Sequence, residues 1–296
     1  MIIVPGPASQ KLGRKIAELL KQKIVPIEFK RFPDGESYIR FDGEVENEDV
    51  VMVQTTSPPQ NENLVQLLLM ADTAFKDLKA KTITAVVPYF AYARQDQSFR
   101  PGEAPSVKTI VTLLQTCGVS KIFTVNSHNP TILKNLQIPI EDLSAIPLLA
   151  EHFKNKGFNG AFSLALGKKG LATAVEAAKI LEGGYGYIST QRDRITGKVT
   201  IEKKSLPVKD RDAIIFDDII SSGGTMAKAV AWTRKQGART IHAACVHLLL
   251  IGDAESRIIQ SGADSIVGTD SVSSHISVVS VAPLIAEALV KRGAKR

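Results

Sequence analysis

Residues 214–226 of the chain read IIFDDIISSGGTM, and a helix-forming run follows over residues 227–232. This order predicts a buried strand that ends in two carboxylates, then a loop of glycine and hydroxyl residues, then a helix. Glycine lets a backbone approach an anion closely, and the free amides and dipole of a helix start favour a phosphate. Asp217 and Asp218 would repel a phosphate, but they can accept hydrogen bonds from sugar hydroxyls or bind a metal. The segment therefore predicts a site for a sugar phosphate.

Apolar β-branched runs alternate with helical patterns along the whole chain. Strands are predicted over residues 2–4, 50–54, 83–88, 122–126, 162–165, 187–189, 213–217, 240–247 and 265–268, and helices over 9–21, 63–79, 107–117, 147–156, 171–181, 225–236, 253–261 and 282–291. This alternation is typical of α/β folds with mainly parallel sheets, which bind ligands at the carboxyl ends of their strands. A division near residues 140–147 separates two halves of similar rhythm, which indicates a duplicated fold.

Composition limits the function classes. A chain of 296 residues suits two domains of about 150 residues. The net charge of +7 is compatible with nucleic acid or with acidic substrates, but aromatic content is only 6% and the charges of both signs are interleaved. We therefore expect no nucleic-acid partner. No apolar stretch reaches the roughly 20 residues of a membrane-spanning helix, so no membrane partner is expected. Cys117 and Cys245 lie in apolar runs, which predicts buried, reduced thiols and a cytoplasmic location.

Three further segments carry candidate ligand groups. The turn RFPDGE over residues 31–36 presents one ring and two acceptors, which suit an adenine, although such turns are common in exposed loops. Arg94 and Gln95 follow a predicted strand and could reach nucleotide phosphates, or they could form an ordinary exposed loop with a salt bridge. His128 closes another strand and could bind a metal or a phosphate, or be purely structural. Residues 191–206 are polar and predict a projecting hairpin or a lid.

The FPDGE turn, the YARQD run over residues 92–96 and the DDIISSGGT loop stand in an order and spacing that resemble the ribose-phosphate pyrophosphokinase family along essentially the full length. The resemblance implies two tandem phosphoribosyltransferase-like (Rossmann-like) domains. Residues 1–145 would carry the ATP and adenine loops, and residues 146–296 the ribose 5-phosphate loop and a flexible loop. It also implies transfer of the diphosphoryl group of ATP to ribose 5-phosphate, with Mg²⁺ as cofactor and AMP as leaving group.

The resemblance extends to individual residues of this sequence. The positions that match ATP-binding residues are Phe32, Asp34, Glu36, Arg94 and Gln95. The positions that match the ribose 5-phosphate site are Asp217, Asp218, Ser221, Ser222, Gly223, Gly224 and Thr225. His128 matches a metal ligand and, with Arg192, the catalytic residues. In the family a neighbouring subunit completes the adenine site, so we expect a homo-oligomer or a hetero-oligomer with an intact paralogue.

The chain departs from the family pattern where the chemistry occurs. Asn126 stands in place of an Asp, Gly167 in place of a metal-binding Asp, Thr173 in place of an Arg and Thr190 in place of a Lys. Loss of one preorganised charge-stabilising group can cost about 10²–10³ in rate. The sequence thus predicts intact binding and weakened catalysis, as in a weakly active subunit of a synthase assembly. The alternatives are a non-catalytic structural or regulatory paralogue and a binding protein that senses phosphoribosyl pyrophosphate. Restoring Gly167→Asp, Thr173→Arg and Thr190→Lys together is expected to raise activity.

Overall fold

The computed structural model describes residues 1–95, 98, 100–129, 136–192, 199–201 and 205–293. The chain divides into two compact units, of which the first comprises Met1–Leu143 and Val281–Arg296 and the second Ser144–Ser280. The predicted boundary at 145/146 lies close to the first crossing between the units. The C-terminal helix, in contrast, groups with the first unit and not with the half that precedes it in sequence.

The first unit is built on a six-stranded sheet in the order β2-β1-β5-β6-β7-β8, and all its neighbouring strands are parallel. Its strands are β1 (Ile2–Pro5), β2 (Lys23–Ile24), β5 (Asp49–Val53), β6 (Thr82–Val87), β7 (Val119–Val125) and β8 (Ile140–Leu143). A separate antiparallel hairpin, β3 (Ile27–Arg31) and β4 (Ser37–Phe41), is inserted after β2.

Four α-helices belong to the described part of the first unit. They are α1 (Gln10–Leu20), α2 (Gln60–Asp72), α3 (Ser106–Thr116) and α8 (Ala282–Gly293). A 3₁₀ turn (Pro7–Ser9) precedes α1, and a π-helical turn (Thr73–Asp77) extends α2. Helix α8 packs on α1, although the two are at opposite ends of the sequence. This contact explains why the chain returns to its first unit at Val281.

The second unit repeats the topology of the first. Its parallel sheet has the order β10-β9-β13-β14-β15-β16, and an antiparallel hairpin of β11 and β12 is again inserted after the second strand. The strands are β9 (Phe162–Leu166), β10 (Tyr185–Ile188), β11 (Thr190–Arg192), β12 (Val199–Ile201), β13 (Asp212–Ile220), β14 (Thr240–Leu248), β15 (Ser265–Thr269) and β16 (Ser277–Val279). The α/β class and its mainly parallel sheets are therefore confirmed, and the common strand order supports the inference of a duplicated fold.

The described helices of the second unit are α4 (Ile146–Asn155), α5 (Leu171–Leu181), α6 (Gly224–Lys235) and α7 (Ala254–Gln260), with a 3₁₀ turn at Lys168–Gly170. Each unit has its own apolar core of sheet and helix side chains, centred for example on Met52 and Leu67 in the first and on Ile215 and Val230 in the second. None of the helices in the described ranges is long and apolar enough to cross a membrane.

Several local predictions are wrong. The strands β2, β8 and β16 were not predicted, because each is a short edge strand with too few apolar residues to show a period. Helix α2 begins at Gln60, three residues before its predicted start, directly after Pro59. Cys245 is buried as predicted, but Cys117 is only partly buried, because it lies at the C-terminal end of α3 rather than inside a core.

Candidate functional site

Asp217 and Asp218 lie within β13 and not at its end. The strand continues to Ile220 because Ile219 and Ile220 keep their parallel pairing with β14, so the predicted strand end at Asp217 is wrong. Strand β13 is flanked by β9 and β14, and both carboxylates are half-buried. They therefore stand close to the carboxyl edge of the sheet, where α/β folds bind ligands.

The backbone of the loop after β13 requires a glycine. Gly223 has φ 72° and ψ −6°, in the left-handed region, and its carbonyl accepts a 2.8 Å hydrogen bond from the amide of Ala227. A Cβ atom at residue 223 would lie 2.8 Å from the carbonyl oxygen of Ala254 on α7. Both observations exclude a larger side chain at Gly223, which thereby sets the direction in which α6 starts.

The start of α6 has the properties of an anion site. In the described part of the chain no side chain caps this helix, and its first turn contains no acidic residue. A Cβ at Gly224 would meet nothing within 4 Å, so the backbone there faces open space. Amide groups and the dipole at such a helix end favour a phosphate. Ser221, Ser222 and Thr225 add hydroxyl groups on the same short segment.

Helix α7 and the segment that follows β14 also hold this loop. The amide of Leu249 donates to the carbonyl of Ile220 at 2.9 Å, and the amide of Ile251 donates to that of Ser221 at 3.0 Å. Arg257 on α7 donates from Nη1 to the carbonyl of Ser222 at 3.0 Å and from Nη2 to Asp253 at 2.7 Å. The loop is thus held through its carbonyl groups, which leaves its amide side for a ligand.

Local bonds orient the carboxylate pair. The amide of Asp218 donates to Oδ1 of Asp217 at 3.0 Å, and the amide of Ile219 donates to Oδ1 of Asp218 at 2.9 Å. Behind them lies the fully buried Cys245, whose thiol is 3.6 Å from the carbonyl of Asp218. Burial, together with the negative charge of the two Asp residues, raises the pKa of the Cys245 thiol well above its usual value, so it is a neutral packing group.

The loop after β9 lies at the same switch point of the sheet, because β9 and β13 are neighbours whose connections leave in opposite directions. Gly167 has φ 75° and ψ 161°, a region essentially confined to glycine, and its amide donates to the carbonyl of Ile188 at 2.8 Å. A Cβ at residue 167 would lie 3.4 Å from the hydroxyl oxygen of Thr190. Two of the positions that depart from the family pattern, Gly167 and Thr190, therefore meet in space. Lys168 and Lys169 are exposed beside them.

The remaining predicted residues of the second unit are spread over other elements. Thr173 lies in the first turn of α5, which follows the 3₁₀ turn. Arg192 ends β11, whose backbone pairs with β12, so the predicted hairpin is present at its base. Strand β12 contacts α6. Most of the hairpin tip, over residues 193–198, lies outside the described residues.

The adenine turn predicted in the first unit is the tip of the β3–β4 hairpin. Phe32 and Glu36 close it through an amide-to-carbonyl bond of 2.8 Å, and Asp34 accepts from the amide of Glu36 at 3.1 Å. The side chains of Phe32, Asp34 and Glu36 are all exposed. The ring of Phe32 packs edge-on against Tyr38, and the Lys30 ammonium lies 5.3 Å from the Phe32 ring centre. The turn therefore presents one ring face and two acceptors to solvent.

Arg94 and Gln95 lie in a turn after β6 that is tied to the end of β5. The hydroxyl of Thr56 accepts from the amide of Ala91 at 2.8 Å and donates to the carbonyl of Tyr89 at 2.8 Å. Gln95 accepts from the hydroxyl of Ser106 at 2.9 Å, at the start of α3. Both Arg94 and Gln95 are exposed, and Asp96 of the same motif lies outside the described residues.

His128 is exposed just after β7, next to a carboxylate that sequence reasoning missed. Asp142 on the edge strand β8 accepts from the amide of Ser127 at 2.9 Å and from its hydroxyl at 2.8 Å. It thereby fixes the turn that carries His128. In the same turn, this chain has Asn126 at a position where the family pattern has an Asp. The pairing of β8 with β7 was the missing signal, and β8 is too short and polar to be recognised from sequence.

The equivalent switch point in the first unit, between β1 and β5, is filled by protein. The side-chain oxygen of Gln54 accepts from the amide of Ala8 at 2.9 Å, and the hydroxyl of Ser9 accepts from the amide of Thr55 at 2.8 Å. Gln54 is fully buried and presses on Gly6. Within the described residues, of the two crevices only that of the second unit combines a helix start without a side-chain cap with a carboxylate pair, as a sugar-phosphate site would require.

Strand order, inserted hairpin and loop define the second unit as a domain of the phosphoribosyltransferase type. Two family models match the chain. The model described as the N-terminal domain of ribose phosphate pyrophosphokinase covers residues 1–118, and that of the phosphoribosyl transferase domain covers residues 136–281.

Similar proteins agree over nearly the whole chain. A ribose-phosphate pyrophosphokinase of Methanothermobacter thermautotrophicus is 40% identical over 97% of this chain and 99% of its own length, and one of Saccharolobus solfataricus is 38% identical over 92% and 93%. A crystal structure of phosphoribosylpyrophosphate synthetase from Mycobacterium smegmatis superposes with a TM-score of 0.87 at 27% identity, covering 100% of this chain and 99% of that one. The chain therefore belongs to the ribose-phosphate pyrophosphokinase family.

Proposed function

We propose that the chain binds ATP and ribose 5-phosphate and transfers the diphosphoryl group of ATP to the pentose, as a weakly catalytic subunit of a synthase assembly. Membership of the family supports this activity, since relatives with that name match this chain almost end to end. One observation in the chain itself carries the proposal: β13, its loop and α6 combine a phosphate site with a carboxylate pair. The 5-phosphate would bind the amides of residues 223–225, and Asp217 and Asp218 would accept the ring hydroxyls.

The reaction needs little from the protein beyond position and charge. The anomeric oxygen of ribose 5-phosphate bonds to the β-phosphorus of ATP, the bond from that phosphorus to the α,β-bridging oxygen breaks, and AMP leaves with that oxygen. The hydroxyl proton passes to solvent or to a base. Phe32, Asp34 and Glu36 would hold the adenine, while Arg94 and Gln95 would contact the nucleotide. Arg192 and His128 would stabilise the charge on the transferred group.

The weakness of the catalysis follows from Gly167, Thr173 and Thr190. Threonine hydroxyls cannot neutralise a phosphoryl group as a Lys or Arg does, and glycine offers no metal ligand. Lys168 and Lys169 are exposed beside this loop and can neutralise phosphate charge, but they cannot replace a carboxylate. The chain therefore retains groups that bind substrates and has lost groups that act on the transition state.

Mg²⁺ is the cofactor that the proposed reaction implies, because it neutralises the polyphosphate charge of ATP. Among the described residues, no three His, Cys, Asp or Glu side chains gather into a metal cage. Such a cage is not required, since Mg²⁺ bound with a nucleotide takes most of its ligands from phosphates and water. The described residues thus fit a metal carried in by ATP, with His128 as the proposed protein contact. They do not fit a metal held by the protein alone.

The proposed assembly is a homo-oligomer or a hetero-oligomer with an intact paralogue. The exposed adenine turn supports this proposal, because a turn that presents a ring and two acceptors to solvent can complete the site of another chain. A fully intact paralogue would then supply the catalytic Lys, Arg and metal Asp that this chain lacks.

The decisive experiment measures AMP release from ATP and ribose 5-phosphate with Mg²⁺, for this chain alone and mixed with an intact relative. We expect slow release alone, and more release in the mixture than the relative gives by itself. Fast turnover by this chain alone would reject the subunit role. The alternative of a non-catalytic structural or regulatory paralogue would be silent alone yet still alter the relative. Silence in both settings, with tight binding of phosphoribosyl pyrophosphate, would indicate a sensing protein.

A further inference from the structure

The two residues at the base of the adenine turn are both held by one turn of α2. Arg31 and Ser37 are cross-strand partners that flank residues 32–36. Arg31 Nη1 lies 3.6 Å from Glu62 Oε2, and Gln66 Nε2 donates to the Ser37 hydroxyl at 3.4 Å. Glu62 and Gln66 are four residues apart on α2, so they lie on the same face, and Gln66 Nε2 also donates to Glu62 Oε1 at 3.4 Å. We call Glu62 and Gln66 the α2 clamp.

The α2 clamp is anchored in the sheet. Gln66 is 1% exposed, and its side-chain oxygen accepts from Gln54 Nε2 at 3.1 Å. Gln54 also donates to the carbonyl of Asn63 and is held by the amide of Ala8. Buried amides that are fully hydrogen-bonded have one favoured geometry, because any displacement leaves a polar group unpaired. Gln66 is therefore a rigid, buried support, whereas the ion pair between Glu62 and Arg31 is partly exposed.

The β3–β4 hairpin needs such a support at its turn. Its far end packs on the core through Ile27, Ile39 and Phe41. Toward the turn, the residues of β3 from Glu28 onward are exposed, so apolar packing does not fix the position of the tip. Polar contacts from α2 supply that constraint.

The same helix also holds the second segment with proposed ATP contacts. The phenol of Tyr92, two residues before Arg94, donates to Oδ1 of Asn61, one residue before Glu62. The first two turns of α2 thus touch both the adenine turn and the turn of Arg94 and Gln95. A shift of this helix would move both segments together.

We propose that Glu62 and Gln66 are positioning residues that set the place and angle of the adenine turn and so determine selectivity for the adenine base. The inference rests on the proposed function, since it takes Phe32, Asp34 and Glu36 as the adenine contacts. Discrimination between bases depends on hydrogen bonds of fixed geometry, and these are lost when the groups that make them can move by about 1 Å. Neither clamp residue belongs to the turn itself, and both contact the residues that flank it, so the proposed effect on the nucleotide is transmitted by the turn.

The test is calorimetric titration of the full chain with ATP, GTP and ribose 5-phosphate in the presence of Mg²⁺. Two variants weaken the clamp differently. Gln66→Leu removes the bonds to Ser37, Glu62 and Gln54 with little change in volume. Glu62→Gln keeps the shape but removes the charge opposite Arg31. The control is Val65→Ala, on the same helix but 47% exposed. We expect both clamp variants to bind ATP roughly threefold to tenfold more weakly, as for loss of one or two hydrogen bonds.

The outcomes separate the inference from the proposed function. Support requires a smaller ATP-to-GTP affinity ratio in both variants, with the binding of ribose 5-phosphate close to that of the parent and of Val65→Ala. The melting temperature of Glu62→Gln should also match that of the parent. An unchanged ratio would overturn the clamp while the proposed function stands. A loss of ribose 5-phosphate binding in equal measure would show a general structural role and also overturn it. A parent chain that binds no ATP at all would reject the proposed function, and the clamp with it.

Discussion

At position 167 the glycine differs from the family pattern in its side chain and also adopts a backbone conformation that other residues avoid. The family pattern has an Asp at this position, so the simple expectation is that Gly167→Asp restores a missing carboxylate. In the structure its backbone has φ 75° and ψ 161°, which only glycine adopts without strain. The absence of the Asp that the family pattern predicts at this position is therefore accompanied by a backbone geometry that disfavours a non-glycine residue.

We expect Gly167→Asp alone to lower the free energy of unfolding by about 1–3 kcal/mol, the cost of a non-glycine residue in this region. The combined restoration with Thr173→Arg and Thr190→Lys should then raise AMP release less than the two cation substitutions do without it. Urea unfolding and the AMP assay measure the two effects.

The matched control is Ala172→Asp, which adds the same carboxylate at an exposed position in the first turn of α5. A negative charge is tolerated at a helix start, so this variant should be as stable as the parent. Equal stability of Gly167→Asp and the parent would contradict the argument from backbone strain. The triple substitution would then be expected to raise activity without a cost in stability.

At the scale of elements, the loop proposed to bind phosphate connects β13 to α6 and contacts α7. Gly223 is its tightest point, whereas its neighbour Gly224 faces open space. We expect Gly223→Ala to destabilise the second unit by about 1–3 kcal/mol and to weaken ribose 5-phosphate binding, because both the positive φ and the carbonyl of Ala254 oppose the methyl group. Thermal unfolding and calorimetric titration measure these changes.

Gly224→Ala serves as the partner substitution, since it adds the same methyl group one residue away. Its unfolding should match that of the parent. If both variants lost the same stability, the loop would be sensitive to any substitution and the geometry of Gly223 would explain nothing.

The sequence predicted those elements whose signals are local. The run from Asp217 to Thr225 combines glycine, hydroxyl and acidic residues in one segment, and the structure shows it at a strand–helix junction. Edge strands such as β8 have no such signal, because they exist through pairing with a neighbour. Asp142 was missed for the same reason, because it lies on β8. Gln66 was missed because its sequence context is that of an ordinary helix residue. Contacts between segments that are far apart in the sequence leave no recognisable pattern in the order of the residues.

At the scale of the whole molecule, the chain closes its first unit with its last helix. Helix α8 lies on α1, and Val281, Ala282 and Ile285 are at most 1% exposed. We expect truncation after Ser280 to unfold the first unit selectively, because the apolar surface of α1 that α8 covers would be exposed. The fragment 144–280 should keep its fold and bind ribose 5-phosphate. Circular dichroism and calorimetry of the two fragments test this expectation.

Two point substitutions on α8 refine that test. Ile285→Ala should cost about 2–5 kcal/mol, as is usual for a buried isoleucine, whereas Val290→Ala, at a 57% exposed position, should cost little. Full stability of the truncated chain, or equal effects of the two substitutions, would show that α8 is dispensable for the first unit.

The glutamine that fills the crevice between β1 and β5 has a consequence for ligand stoichiometry. A chain with two copies of one topology could in principle hold two pentose phosphates. Because Gln54 occupies the first crevice, saturation should occur at one sugar per polypeptide. Any sigmoidal response to the pentose would then have to arise from communication among separate chains.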